Sequence, residues 1–294
     1  MGGAKSAPPF FFAFSRDQIL IAPDLIDTFR RDGFVIVRNF LTGSDVDAAR
    51  TRFAPLFEGK FETGLYPDEW NWIEGRDPPD RTRQICNGWK SDSVIARIVL
   101  SRRVGETCAT LAGWDGARMG QDNVLWKPPG AKSLGFHQDD SYCHWVVPAG
   151  YVTCWMPLDD TTAAGGTIEY ARGSHLWPLT PPRGQFHAPE DYHATLRQAA
   201  EEAGAEIDIV PIEVNAGDAV IHHGRTWHGS GPNKADVPRR ALVSHCISAA
   251  CHFHPTNVSY IYSRYRRHDD LAMDESFFPI LWRRDGYRSP WLPS

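Results

Sequence analysis

His137 and Asp139 stand two residues apart in the run Phe136-His137-Gln138-Asp139-Asp140. On extended backbone, residues i and i+2 project to the same side, so an imidazole and a carboxylate converge while Gln138 faces away. A lone His-x-Asp occurs often by chance and weighs little. It gains weight from a second source of ligands, residues 216–233, where the turn Gly217-Asp218 leads into a strand that ends in His228 beside a Gly- and Pro-rich loop. Two imidazoles and one carboxylate on one face of a metal leave three positions open, the arrangement of non-haem iron(II) oxygenases. Those positions suit a bidentate 2-oxo acid together with O2. The far carboxylate of such an acid needs an anchor, and a guanidinium grips it with two parallel bonds. Arg239 and Arg240 follow His228 by eleven and twelve residues, on the next predicted strand. Side chains alternate along a strand, so only one of the two can face inward.

Plainer readings compete at each position. His137 with Asp139 alone would pass for a surface histidine beside an acidic turn. His222 and His223 are rival distal ligands, but they sit inside a predicted strand, where packing or backbone hydrogen bonds account for them. His175, in Gly173-Ser174-His175, reads as a hydrogen-bonding loop residue. His245, His252 and His254 cluster near the last strands, and core or surface histidines explain them more simply than a second metal site does. Asp140 reads as an acid beside the site or at the surface, since a second carboxylate on the metal would block a position the reaction needs. Trp70, Trp72 and Trp89 either line a substrate pocket or bury loop area. Arg264, Arg266 and Arg267 form a solvated face, with an anionic substrate group as the alternative partner.

The elements that must position these groups follow from periodicity. Pro23-Asp24 opens a helix with Leu25, Ile26 and Phe29 on one face and Gly33 at its close. Residues 34–38 read as a strand. Ser44 starts a second amphipathic helix through Val46, Ala49 and Phe53, and Ser91 starts a third that runs to Gly113. Residues 59–90 between them are rich in Trp, Pro, Gly and Arg without a clear period. Such a long connection suggests a functional loop or lid. From Ala117 onward short segments alternate with turn residues: 123–127, 151–158, 167–170, 207–214, 219–223 and 239–248. One helix interrupts them, with Pro189 in its first turn and Gly204 past its end. Many short strands after a helical portion, without βαβ alternation, indicate a mainly β jelly roll of two sheets buttressed by helices.

The bulk numbers bound the function. A chain of 294 residues fits one large domain or two small ones, all-β barrels of this length are often single, and a hydrophobic fraction of 42% is ample for a packed core. A net charge of −5 without a lysine-rich block leaves no footprint for nucleic acid. No apolar run reaches the roughly 18 residues of a spanning helix. Residues 1–14 lack the layout of a signal peptide, the terminal Leu-Pro-Ser is no peroxisomal address, and Gly2 with Ser6 fits the loose myristoylation pattern. Six cysteines show no CxxC pairing and read as free thiols of a reducing cytoplasm, which also suits ferrous iron.

Three stretches together resemble the phytanoyl-CoA dioxygenase family of iron and 2-oxoglutarate oxygenases: residues 137–140, residues 153–175 ending Ala171-Arg-Gly-Ser-His175, and residues 228–233. Residues 29–50 are similar to that family's entry helix and first strand, and the resemblance spans most of residues 25–255. It implies a cupin-like double-stranded β-helix forming a single catalytic domain, residues 1–294. It also implies Fe(II), O2 and 2-oxoglutarate, the last converted to succinate and CO2 while a small-molecule substrate is oxidised, by default hydroxylated. Carried over residue by residue, the iron ligands are His137, Asp139 and His228, and the co-substrate anchor is Arg239. Ser230 matches the hydroxyl that assists it, Trp155 an aromatic wall near 2-oxoglutarate, and Asn123 a strand position approaching from the other side. Nothing in the chain is specific to coenzyme A, and the residues do not reveal the substrate or the oligomeric state. The rival reading is a non-catalytic jelly roll that binds a metal or small molecule.

Overall fold

The computed structural model describes residues 21–293. The Gly2/Ser6 pattern and the stretch 1–14 lie outside the described residues. The chain opens with α1 (Pro23–Asp32), β1 (Phe34–Val37), α2 (Gly43–Phe57), β2 (Glu69–Asn71), β3 (Arg83–Cys86), α3 (Ser93–Val99) and α4 (Arg102–Ala112). Next come β4 (Gly116–Lys127), β5 (Leu134–His137), β6 (Val146–Val147), β7 (Val152–Pro157), β8 (Ile168–Ala171) and α5 (Ala194–Ala203). The last elements are β9 (Ile209–Pro211), β10 (Ala219–His223), β11 (His228–Ser230), β12 (Arg239–Ser248), β13 (His252–Phe253) and β14 (Ile280–Arg283). Among the described residues no helix is long and apolar enough to cross a membrane.

Two antiparallel sheets face each other. The larger runs β1-β10-β7-β12-β4-β3-β2, with β14 joined to β4, and the smaller runs β5-β11-β8-β9. This is the double-stranded β-helix, mainly β with flanking helices. Strand alternation divides the large sheet's residues between two environments. Ile85, Val124, Cys154, Met156, Ile221 and Leu242 point outward and pack under α2, α3 and α4, against Phe53, Leu56, Ile95, Val99 and Val104. The opposite set faces the small sheet. At one end it forms an apolar layer with Phe34, Ile168, Tyr170 and Ile212; at the other it lines a cavity of about 510 Å³.

Several sequence expectations change at element boundaries. Thr42 rather than Ser44 caps α2, in a reciprocal capping box with Asp45. The single helix expected from Ser91 to Gly113 is two helices. Asp92 caps α3 by accepting from Val94 and Ile95 N–H, and Ser101 caps α4 by accepting from Val104 N–H. The helix expected around Pro189 begins only at Ala194, because the preceding backbone lies along β5: Gly135 and Phe136 N–H donate to the carbonyls of Phe186 and Tyr192. The strand expected to end in His228 ends at His223, and His228 opens β11 in the other sheet. Gly224 makes that crossing feasible, since a Cβ there would stand 1.9 Å from Asp140 Oδ1. The aperiodic stretch 59–90 contributes β2 and β3, which extend the large sheet beyond β4. Within it Trp72 and Trp89 are buried in the helix-side core and Trp70 packs against it; none of the three lines the cavity.

Candidate active site

β5 and β11 lie side by side with His137 and His228 in register, which sets the two imidazole centroids 4.2 Å apart. Each ring is oriented from behind. His137 Nδ1 bonds to the Gly135 carbonyl at 3.0 Å and His228 Nδ1 to the Thr226 carbonyl at 2.9 Å. A carbonyl only accepts, so both Nδ1 atoms carry hydrogen and both Nε2 lone pairs face the cavity. Asp139 Oδ1 stands 3.6 Å from each Nε2. The three ligand atoms lie within 4.8 Å of one another. Two imidazole nitrogens and one carboxylate oxygen gathered this closely are a donor set that fits a divalent transition metal. Among the described residues this is the group of His, Cys, Asp and Glu side chains with such spacing.

The second carboxylate oxygen of Asp139 is held by the protein. Thr153 Oγ1 donates to Oδ2 at 2.7 Å and His222 Nε2 at 3.0 Å, with His245 Nδ1 at 3.3 Å. Tyr170 donates its hydroxyl to His222 Nδ1 at 2.8 Å, and the Asn123 amide lies 2.9 Å from His245 Nε2. These outer bonds set the tautomers so that both rings present N–H toward Oδ2 or the Thr153 hydroxyl. One oxygen is thus tied to the sheet while the other faces the histidines. Burial alone would raise the Asp139 pKa, but the imidazoles gathered around it, His245 and His228 foremost, and the His222 bond to Oδ2 hold it well below the usual carboxylate range. Burial, reinforced by His137, pushes His228 well below the ordinary imidazole range, leaving it neutral and able to donate its lone pair.

Arg239, the first residue of β12, is only 4% exposed and lines the same cavity. Its Nε has no hydrogen-bond partner among the described residues, and its guanidinium carbon lies 5.7 Å from the Trp155 ring centroid. Burial lowers its pKa to about 10, so it remains a cation at neutral pH. A buried guanidinium with an open donor fits an incoming carboxylate. Arg240 points the other way and bonds Asp159 through Nε at 3.0 Å and Nη2 at 2.7 Å. Ser230 lies beside the site and accepts from Lys127 Nζ at 2.7 Å. Lys127 is fully buried, pairs in register with Arg239, and also donates to the Gly231 carbonyl. Burial and then the Arg239 charge push its pKa well below the ordinary lysine range.

Of the residues singled out in the sequence, His137, Asp139, His228, Arg239, Ser230, Trp155 and Asn123 all line one cavity. Asn123 spends its amide within the wall: Oδ1 accepts from Gln84 and Gln121, each at 3.1 Å. Gln138 faces away and bonds the Arg225 carbonyl at 2.8 Å. Asp140 stands behind the site, accepting from Tyr151 N–H at 2.7 Å, with its pKa raised by burial to about 6. His175 bonds the Arg30 carbonyl at 3.0 Å, as a loop residue would. Sequence reasoning missed His222, His245 and Thr153 as partners of Asp139, and Lys127 behind Ser230. The alternation of β12 carried a usable signal, since 239 and 245 share a face; nothing local marked Thr153 or Lys127.

A family model described as phytanoyl-CoA dioxygenase (PhyH) matches residues 29–241. The peroxisomal phytanoyl-CoA dioxygenase of Bos taurus is 22% identical over 269 residues, covering 86% of this chain and 76% of that protein. Dioxygenase cdmA of Talaromyces verruculosus is 24% identical over 289 residues, 94% of this chain and 87% of that one. The solved structure of the epimerase SnoN in complex with Fe3+, alpha ketoglutarate and nogalamycin RO superposes with a TM-score of 0.69 at 21% identity, covering 88% of this chain and 98% of SnoN.

Proposed function

The chain belongs to the phytanoyl-CoA dioxygenase family, and on that premise we propose that His137, Asp139 and His228 hold its iron and that Arg239 anchors its 2-oxoglutarate. The protein is an Fe(II)- and 2-oxoglutarate-dependent dioxygenase. One observation carries the site assignment: two Nε2 lone pairs and a single carboxylate oxygen converge in the same cavity as a buried guanidinium with an open donor.

Bound iron with 2-oxoglutarate supplies the oxidising power, O2 being consumed as 2-oxoglutarate becomes succinate and CO2 and one oxygen atom passes to the substrate. The chain's own residues do the positioning. Arg239 and Ser230 receive the distal carboxylate of the co-substrate, with Trp155 as the adjoining wall. Lys127 donates to Ser230 Oγ, which leaves the Ser230 hydrogen free to point at that carboxylate. Thr153 and His222 occupy Asp139 Oδ2, so Asp139 offers the metal one oxygen rather than two. A metal held by three protein atoms keeps room for the co-substrate, which a closed structural site would not.

Hydroxylation of a small molecule is the default reaction. The cytoplasm is the proposed location, supported by six free, buried cysteines, and the net charge of −5 argues against a nucleic-acid substrate. The deciding experiment adds Fe(II) and 2-oxoglutarate anaerobically and records the visible spectrum. A weak charge-transfer band from a chelated 2-oxo acid is expected, and its absence at saturating ligand would favour the non-catalytic binding protein instead.

A further inference from the structure

With the triad, Arg239 and the partners of Asp139 assigned, two charged side chains of the cavity wall remain without a role: Glu69 and Arg81. Their surroundings differ. Arg81 has a carboxylate oxygen of Asp77 at 3.8 Å and lies beside His187, whose pKa is lowered to about 4 by burial, then by Arg81. Glu69 has no Lys, Arg or His nitrogen within 4.0 Å among the described residues. Its two fixed partners are neutral: Tyr260 donates its hydroxyl to Oε1 at 2.8 Å, and Cys86 its thiol to Oε2 at 3.2 Å. These donors orient the carboxylate without cancelling its charge.

Register places Glu69 on the working face of the large sheet. It pairs with Cys86, Cys86 with Asn123, Asn123 with Val243 and Val243 with Trp155, in one row across five strands. Glu69 therefore shares the inward face of the residues around the co-substrate site, two strand spacings or roughly 10 Å beyond Asn123. The rim beside it is aromatic and open to solvent. Tyr260 is 83% exposed and Tyr142 45%, and both line the cavity with Tyr262. An oriented carboxylate beside electron-rich rings is the chemistry that binds an ammonium group, by Coulomb attraction and by the ring faces together.

We propose that the substrate carries a cationic nitrogen, which docks on Glu69 beside the rings of Tyr260 and Tyr142 while the carbon to be oxidised lies deeper, toward His137. This names a substrate class for the proposed site and rests on that reading. The deep end belongs to iron and 2-oxoglutarate, and the rim selects by charge.

The test uses three probes of one shape: benzyltrimethylammonium, its neutral isostere neopentylbenzene, and the anion phenylmethanesulfonate. Their affinities for the full chain are measured by anaerobic equilibrium dialysis, with Fe(II) and 2-oxoglutarate present and again without them. The cation should bind at least tenfold more tightly than the neutral isostere. Glu69→Gln should erase that preference, and Tyr260→Leu should reduce it, with 2-oxoglutarate binding unchanged in both. Dialysis without iron keeps the outcome separate from that of the iron assignment. Tighter binding of the sulfonate, an equal affinity for all three probes, no binding of any, or a preference that survives Glu69→Gln would each overturn the proposal.

Discussion

At the scale of single residues, the site depends on geometry that conservative substitutions break selectively. Arg239→Lys keeps the charge but replaces a planar, two-pronged donor with a point charge. It should raise the KM for 2-oxoglutarate by the equivalent of about 1.5–3 kcal/mol, the value of a charge-assisted hydrogen bond, with iron content unchanged. Arg240→Lys should leave that KM near its original value, since Arg240 bonds Asp159 outside the cavity; the reverse pattern would refute the choice within the pair. Asp139 separates hydroxylation from halogenation, because a carboxylate at that position leaves no room for halide once 2-oxoglutarate and O2 fill the other sites. Wild-type enzyme should therefore yield no chlorinated product in high chloride, and Asp139→Gly should abolish hydroxylation. Near-normal turnover by the glycine variant would show that Asp139 is not a ligand. The orienting bonds admit a finer test. Thr153→Val and His222→Phe each remove a donor to Asp139 Oδ2, and loss of a partner behind a ligand typically costs 10–100-fold in metal affinity. Direct titration with Fe(II) or Co(II) measures this without turnover, and unchanged affinity in both variants would deny these residues a role in holding the carboxylate.

At the scale of elements, the stretch 59–90 builds one part of the cavity wall. Its strands β2 and β3 place Glu69, Asn71, Gln84 and Cys86 on the cavity wall, and the connection between them brings in Arg81. Its aperiodic sequence follows from this: two strands of three and four residues joined by turns leave too few repeats for a period to register. The segment is expected to act as a lid that tightens when ligands bind. Limited proteolysis in residues 60–68 and 72–82 should slow once Fe(II), 2-oxoglutarate and substrate are present together. Equal cleavage rates in the presence and absence of ligands would count against a lid. The helices behave differently, since α2, α3 and α4 present a continuous apolar face to the outer side of the large sheet and have no route to the cavity except through it.

At the scale of the whole molecule, one buried acid couples stability to pH. Asp122 on β4 is fully buried, accepts from the Trp89 N–H at 3.1 Å, and leaves its Oδ2 without a partner among the described residues. Burial raises its pKa from 3.8 to about 7. The folded state therefore retains a proton that the unfolded chain has lost, and stability falls as pH rises between about 4 and 7, then levels off. Asp122→Asn should make this part of the stability–pH curve less steep, Asp140 with its pKa raised to about 6 supplying the slope that remains; denaturant unfolding at pH 5 and pH 8 checks it, and an equal slope in both proteins would mean that Asp122 is not a source of it. The sequence by itself determined the fold class, the place of about half the strands along the chain, the family resemblance and the candidate triad, because these rest on local spacing: alternation along a strand, turn residues between strands, and a His-x-Asp that converges on any extended backbone. It could not determine which face of each strand is the inner one. That choice depends on partners far along the chain, as Thr153 and His222 reach Asp139 only after β7 and β10 pair and fold over β5. Which of Arg239 and Arg240 faces the cavity was likewise a matter of tertiary structure: Arg239 lines it, and Arg240 bonds Asp159 on the other side. Lys127 and Glu69 escaped notice for the same reason. A lysine reads as a surface residue until a second sheet covers it, and a glutamate acquires meaning only from the cavity it faces.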